Sequence, residues 1–553
     1  MALSVSDPLP PRGRIGALLF ALPPAGRRWS PGLRSALAFA LPAAVLVAAG
    51  HPGQALFVLF GAFAVMYGER RAYRMRAWVV LAAGLALLAS CGLGAALGHG
   101  LAGGLGASLI TVATLTVVAV VAVYAIDALR LGPPGALLFV IACGGAMMAA
   151  EAGISTSTLL SCTAFGAGVS VLVSMAGVLR DRRKPERVAV EAAVRAVDAY
   201  LSARASGRPA IDLRHQAGGA VAEAWAAVYD AGLPSRAPDS ELLATLVEAR
   251  RRLAGPAYDD TNDLVVDPLI SFVRPGVLFR LRRSLSPNSH AAVSALRVGV
   301  ACLVAGGLSA LLGQDRPHWA VFTALMVLQI GPDRVRGKVR GIHRFVGTVV
   351  GLGLFAVVHQ LAFTGYALIA LVAGLMFGME LFVPRNYALA AIFLTPIALL
   401  AVGPAPGGAV APLIRDRFIE TVIGVGVAVL VPHVVAPRAH RRTFRWIEFR
   451  VGTVARALLA SARREPAGAA AVALTQQLQF ELVGVARAGS DSATEDPAWT
   501  ATHWPAHAAT AHLGYDLLAA YWELPPGAQL PDPDRWDAAF DALTPLSAHA
   551  STR

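Results

Sequence analysis

The chain has 553 residues, 56% of them hydrophobic and only 15% charged, with a mean hydropathy of +0.57. That balance is too apolar for a soluble protein of several domains, so most of the chain is expected in lipid. The formal net charge of +13 does not indicate nucleic acid: the arginines flank apolar runs, where anionic lipid and the positive-inside rule account for them, and no basic fold motif accompanies them.

Residues 1–33 carry Arg12, Arg14, Arg27 and Arg28 around the apolar piece Ile15 to Leu22. This piece is too short to span and runs into Pro23-Pro24, which argues for a cytoplasmic amphipathic arm and against a cleaved signal peptide. Six candidate helices follow, at about 34–49, 54–68, 77–97, 104–126, 135–150 and 155–179. The loops between them alternate in charge: Arg70, Arg71, Arg74 and Arg76, then His99, then Arg130, then Glu151, then Arg180, Arg182, Arg183 and Lys184. Basic loops therefore share the cytoplasmic side with the amino terminus. Cys91, Cys143, Cys162 and Cys302 lie in apolar segments without metal-ligand spacing and read as small packing residues.

Residues 181–290 lack a long apolar run and read as a cytoplasmic helical insert. Its end, Pro268 to Ser286, mixes Leu, Ile and Phe with Arg274, Arg280, Arg282 and Arg283; it suits either the inner leaflet or ordinary packing on the insert. A second set of apolar segments spans about 291–313, 318–331, 341–360, 364–383, 386–402 and 417–436, within a second membrane region at 291–437. Residues 438–553 read as a helical cytoplasmic tail, in which His503, His507 and His512 lack a third strong metal ligand.

The two membrane regions, 34–180 and 291–437, read as a repeat. Arg34 to Gly50 matches Arg297 to Gly313 in length, each opening with Arg and closing with Gly, and 68–76 corresponds to 332–340, with Glu69 opposite Asp333 and Arg76 opposite Arg340. Both halves enter from the cytoplasm, so the repeat is parallel. The expected fold is an all-α membrane protein of two parallel six-helix repeats, about twelve helices, with helical insert and tail.

Within the second repeat, a basic loop of Asp333, Arg334, Arg336, Lys338 and Arg340 is expected between two apolar runs. Beyond it Arg344, Gly347, Thr348 and Gly351 fall on one helical face. An intramembrane arginine needs a partner or water, and glycines admit a neighbouring helix, so this face looks inward. Arg417, Glu420, Thr421 and Gly424 repeat the pattern. Two inward arginines suit a carboxylate anion, and Phe322, Trp319, Phe377 and Tyr387 offer aromatic contact. Arg417 and Glu420 satisfying each other is an equal alternative. Asp127 and Glu380 stand near the cytoplasmic ends of the fourth helices, where a carboxyl group in low dielectric can carry a proton; for Glu380, pairing with Arg385 is the competing reading.

The stretches PDRVRGKVRGIHRFVGTVVG at 332–351, RNYALAAIFLTP at 385–396 and RFIETVIG at 417–424 resemble the fusaric acid resistance protein-like family, which includes the aromatic acid exporters and is distantly similar to aluminium-activated malate channels. The resemblance is specific over about 290–436 and weaker over 34–180, where Val80, Gly84 and Leu87 stand in place of Arg, Thr and Gly. It implies a multi-pass protein of the inner or plasma membrane, with both termini cytoplasmic, that exports organic, chiefly aromatic, acids on the proton gradient. On this reading Arg344 and Arg417 hold the anion, Thr348 and Thr421 hydrogen-bond it, Phe322 and Tyr387 contact its ring, and Glu380, Glu420 or Asp127 couples protons. Partners are membrane lipid and a small organic anion, with a homo-oligomer left open; no cofactor is expected. Without GxSxG, HExxH or a Walker loop the chain does not read as an enzyme. A passive organic-anion channel and a membrane scaffold remain as alternatives.

Overall fold

The structure is a computed structural model that describes residues 7–11, 15–22, 28–101, 103–208, 210–254, 274–329, 331, 333–402, 410–524 and 527–549. Among these, every regular element is a helix. The first part of the chain forms α1 (Ile15–Phe20), α2 (Trp29–Ala48), α3 (Val58–Ala62, between the 3-10 turns Pro52–Phe57 and Phe63–Met66), α4 (Tyr73–Gly98), α5 (Gly104–Leu129), α6 (Leu137–Glu151) and α7 (Thr156–Met175). The middle forms α8 (Lys184–Ala205), α9 (Ile211–Ala231), α10 (Leu233–Arg236), α11 (Glu241–Ala254) and α12 (Val277–Ser284). Then come α13 (His290–Leu311), α14 (His318–Leu328), α15 (Arg334–Gln360), α16 (Gly365–Phe382), α17 (Tyr387–Val402) and α18 (Ala411–Val434). The remainder forms α19 (Ala439–Ala462), α20 (Ala469–Glu495), α21 (Pro497–Trp522) and α22 (Pro533–His549).

Eight of these, α2, α4, α5, α7 with its 3-10 extension, α13, α15, α16 and α18, are long and apolar enough to cross a membrane, and four shorter apolar helices accompany them. The molecule is a helical membrane protein. Its long helices start where side chains can take up free backbone donors: Ser155 accepts from the Thr158 amide, Ser289 from Ala292, and Asp333 from Val335 at 2.8 Å and Arg336 at 3.2 Å. That last cap revises the reading of 333–340 as a loop, because α15 begins at Arg334 and carries the basic residues in its first turns. Likewise Arg74 and Arg76 lie inside α4. The segment expected as one helix at 54–68 is instead broken into two 3-10 turns around a five-residue α3.

The same neighbours recur in the two membrane regions. Helix α4 packs on α6 and α7 as α15 packs on α17 and α18, and α3 meets α7 as α14 meets α18. The fourth helices cross over: α5 packs on α13 and α16 on α2. Bare backbone permits the closest approaches. A Cβ on Gly94 would lie 2.0 Å from the Cys143 carbonyl of α6, and one on Gly347 would lie 2.4 Å from the Ala388 carbonyl of α17.

The insert and tail do not fold apart. Val197, Trp225 and Leu246 of the insert share one apolar core with Leu458, Leu482, Trp504 and Tyr515 of the tail. The N-terminal arm joins them: Asp7 accepts from the Ile211 amide at 3.2 Å and meets His512 at 2.8 Å, while Trp504 donates to the Asp7 carbonyl at 2.9 Å. Of the stretch 268–286, residues 268–273 lie outside the described residues, as do Arg12, Arg14 and Arg27.

Candidate functional site

Helices α14, α15, α17 and α18 enclose the site. Helix α18 runs antiparallel to α15, with Phe345 and Phe418 ring centroids 5.9 Å apart and Gly341 facing Val425 and Val429. This register sets Arg344 level with Thr421 and Thr348 level with Arg417. On its other side α18 meets α14, where a Cβ on Gly424 would lie 2.7 Å from Cβ of Thr323. The glycines therefore bring the two arginine-bearing faces against two other helices, α17 and α14.

Arg344 is 0% and Arg417 2% exposed, and Nε and Nη1 of each lack a hydrogen-bond partner in the protein. The two guanidinium groups are near enough to repel each other. Arg344 lies ten residues into α15, about 15 Å from the helix start at 1.5 Å per residue. Around the pair stand the buried hydroxyls of Thr348 and Thr323, both unpartnered, and Tyr387, which puts its hydroxyl beside Arg344 while its ring lies 4.6 Å from the Arg340 guanidinium. Trp319 offers its face to Arg417 at 5.0 Å. Thr421 is there too, but its hydroxyl donates to the Arg417 carbonyl at 2.7 Å, a bond within its own helix.

Glu420, fully buried on the Arg417 face, accepts a hydrogen bond from Ser309 of α13 through one oxygen and has no partner for the other. No ion pair joins it to Arg417 among the described residues. His318, buried between Trp319 and Phe322 with ring centroids at 5.6 and 5.7 Å, leaves Nε2 unpartnered beside Arg417. Phe322 itself packs against Gly144 of α6, so it contributes more to joining the two regions than to the arginine pair. Ser309, Thr323 and His318 escaped the sequence reading; only the His318-Trp319-Phe322 spacing hinted at one of them.

The other two carboxylates lie elsewhere. Glu380 does not pair with Arg385: it accepts from Arg28 at 3.2 Å, and Arg28 also donates to Glu69 at 2.9 and 3.1 Å. This network ties the start of α2 to the end of α16. Asp127 sits at the end of α5, 3.8 Å from His290, in a cavity of about 40 Å³ that also meets Arg130, Arg283 and Arg487 where the bundle joins the helical domain. Nearby, and outside the spans, burial pushes the Asp491 carboxyl up to about 6 despite Arg487 and Arg336.

The tail histidines are spoken for. His503 bonds the Trp499 carbonyl at 2.8 Å, His507 meets Glu448 at 2.9 Å and stacks on Phe444, and His512 meets Asp7. Each has a structural partner in the helical domain.

Fold and site together define a multi-pass helical membrane protein with a buried cationic centre in its second membrane region. Residues 303–431, which hold that centre, match the family model described as fusaric acid resistance protein-like. Over 264 residues, 47% of this chain, the sequence is 27% identical to a protein of Bacillus subtilis (strain 168) described as uncharacterized membrane protein YvaC. The match covers 40% of that relative, less than half its length. No solved structure matches the chain.

Proposed function

We propose that this protein is an efflux transporter for organic anions, aromatic carboxylates in particular, in the cell membrane, built from two parallel six-helix repeats with both termini cytoplasmic. The observation that carries the proposal is the pair of fully buried arginines with unpartnered nitrogens. Leaving a charge buried and uncompensated costs about several kcal/mol, so such a pair persists where a counter-charge arrives in the working cycle. A carboxylate between Arg344 and Arg417 would fill that role, with Thr348, Thr323 and Tyr387 donating around it and Trp319 and His318 flanking a ring. The recurring neighbours of the two membrane regions, with crossed α5 and α16, support the parallel repeat.

On this reading Glu420 couples protons. It stands beside Arg417 with one free oxygen and belongs to the same helix as the anion site. A proton entering from outside would neutralise Glu420, and its release inward would accompany departure of the anion outward. Glu380, engaged by Arg28, fits a closure at the cytoplasmic end instead.

The test is uptake of labelled 4-hydroxybenzoate into inside-out vesicles, with and without an imposed pH gradient. Accumulation that a protonophore collapses, lost in Glu420→Gln while exchange across equal concentrations persists, is the expected result. Voltage-driven equilibration without accumulation would replace the transporter by a channel, and absence of any flux would overturn the proposal.

A further inference from the structure

Helix α12 and the neighbouring turns of α19 carry a second ligand surface, separate from Arg344 and Arg417. Two bonds fasten α12 to the basic end of α5: Tyr124 donates to the Leu281 carbonyl at 2.6 Å, and Arg280 donates to the Leu129 carbonyl at 2.9 Å. Away from those bonds Leu278 and Leu285 are 64% and 67% exposed, and Phe449 of α19 is 67% exposed. Between the two helices lies an open groove of about 630 Å³ whose walls include Leu278, Phe279, Arg282, Trp446, Phe449 and Arg450.

The groove is positively charged as well as apolar. Arg283 and Arg450 share the single buried carboxylate of Glu481, which leaves one positive charge uncompensated. Exposed Arg282 adds a second. Arg283 is further held over the Trp446 ring at 4.4 Å, an arrangement that keeps the tryptophan at the groove wall. Water gives large apolar side chains no reason to stand exposed beside a cationic rim, but a bilayer interface does, since it offers phosphate and hydrocarbon a few ångströms apart. The surface is also continuous with the spans: α5, to which α12 is tied, exposes Val117 and Val121 along its length.

We infer that this groove holds an anionic phospholipid, its phosphate against Arg282 and Arg450 and an acyl chain over Leu278 and Phe449, so that the helical domain is seated on the leaflet at the basic end of the bundle. A free phosphate would use the arginines and leave the apolar wall unexplained. This inference is independent of what the bundle transports.

Full-length protein in an uncharged detergent, titrated with phosphatidylglycerol carrying brominated acyl chains, tests it through quenching of tryptophan emission. The Trp446→Phe variant isolates the groove's share of the signal. Saturable quenching of that share is expected, with apparent affinity weakened about fivefold in Arg282→Gln, the worth of one basic residue at an anionic interface. Phe449→Ser is expected to weaken it similarly through the chain contact, and Arg195→Gln, exposed on α8, to leave it unchanged; matching thermal midpoints establish that the variants are folded. Equal quenching by brominated phosphatidylcholine, no loss in the Arg282→Gln, Phe449→Ser double variant, or displacement by soluble glycerol phosphate would each overturn the inference.

Discussion

Arg417 separates a structural from a functional reason for a buried charge. If it served the fold, its nitrogens would be bonded; instead Nε and Nη1 have no hydrogen-bond partner and the guanidinium lies 5.0 Å from the Trp319 ring. Replacement of buried ionic groups by apolar side chains is often neutral or stabilising by about 1–4 kcal/mol, so Arg417→Met should unfold no earlier than the wild type in a thermal scan yet lose 4-hydroxybenzoate binding. Arg417→Lys keeps the charge without the planar fork and should bind about tenfold more weakly. Binding retained by Arg417→Met would remove this arginine from the site. His215 of the helical domain offers a contrasting residue. Burial, reinforced by His507, His512 and Arg214, drives its imidazole down to about 3, and a ring nitrogen meets the Tyr515 hydroxyl at 3.0 Å. The unfolded chain takes up a proton near the ordinary histidine value, which the folded chain refuses until much lower pH. Its contribution is therefore present above about pH 6.5 and lost as pH falls toward about 3. His215→Gln should show a shallower loss of thermal midpoint on acidification, and an unchanged slope would mean that other groups set the acid limit.

At the scale of elements, periodicity and hydropathy located most of the apolar helices within a few residues, the broken segment around α3 excepted, because lipid demands long apolar runs and leaves few alternatives. They failed where a helix continues out of the apolar zone. Residues 334–340 lack apolar periodicity, yet Asp333 caps their amides and the helix runs unbroken to Gln360. Asp333→Ala should cost about 1 kcal/mol through the lost cap, read as a lower thermal midpoint. The arginine-glycine faces were legible from spacing alone, and the glycines prove to be the contact points of α15 with α17 and of α18 with α14. What spacing could not give is the partner across the contact: Thr323 and Ser309 reach the site from other helices, at sequence distances that no local pattern records. Gly424→Val places methyl groups where Thr323 and the Ala320 carbonyl already stand, at 2.7 and 2.8 Å from the Cβ. It should destabilise by about 1–3 kcal/mol and, by moving α14, weaken anion binding even though the variant side chain bears no charge. Binding unchanged in a folded Gly424→Val protein would mean that α14 does not contribute to the site.

For the whole molecule, sequence divided the polar parts into an insert and a tail, whereas the fold makes them one helical domain with a shared apolar core. Each amphipathic helix shows one apolar stripe, and nothing in α9 states that part of its stripe belongs against α20, since the two are separated in the chain by a whole membrane region. Val190, Val197, Trp225 and Leu246 on one side and Leu458, Leu482, Leu517 and Tyr515 on the other are nearly or fully buried members of one core, joined where α9 packs on α20 and α21 and where α11 packs on α21. Without its counterpart the insert exposes the apolar side chains of α9 and α11 that pack on α20 and α21, which removes part of the burial that offsets the entropy of ordering its helices. Removal of residues 439–553 should therefore leave the bundle inserted but open the insert to protease, with trypsin cutting at Arg195 and Arg204 of α8 about tenfold faster or more, as expected when local opening becomes the dominant state. Co-expression of the tail as a separate chain should restore resistance, because the contact between them is noncovalent apart from the connection through the membrane. Cleavage at the same rate with and without the tail would show that the insert holds a core of its own, and the shared core would then be a docking of two finished units instead of a single fold.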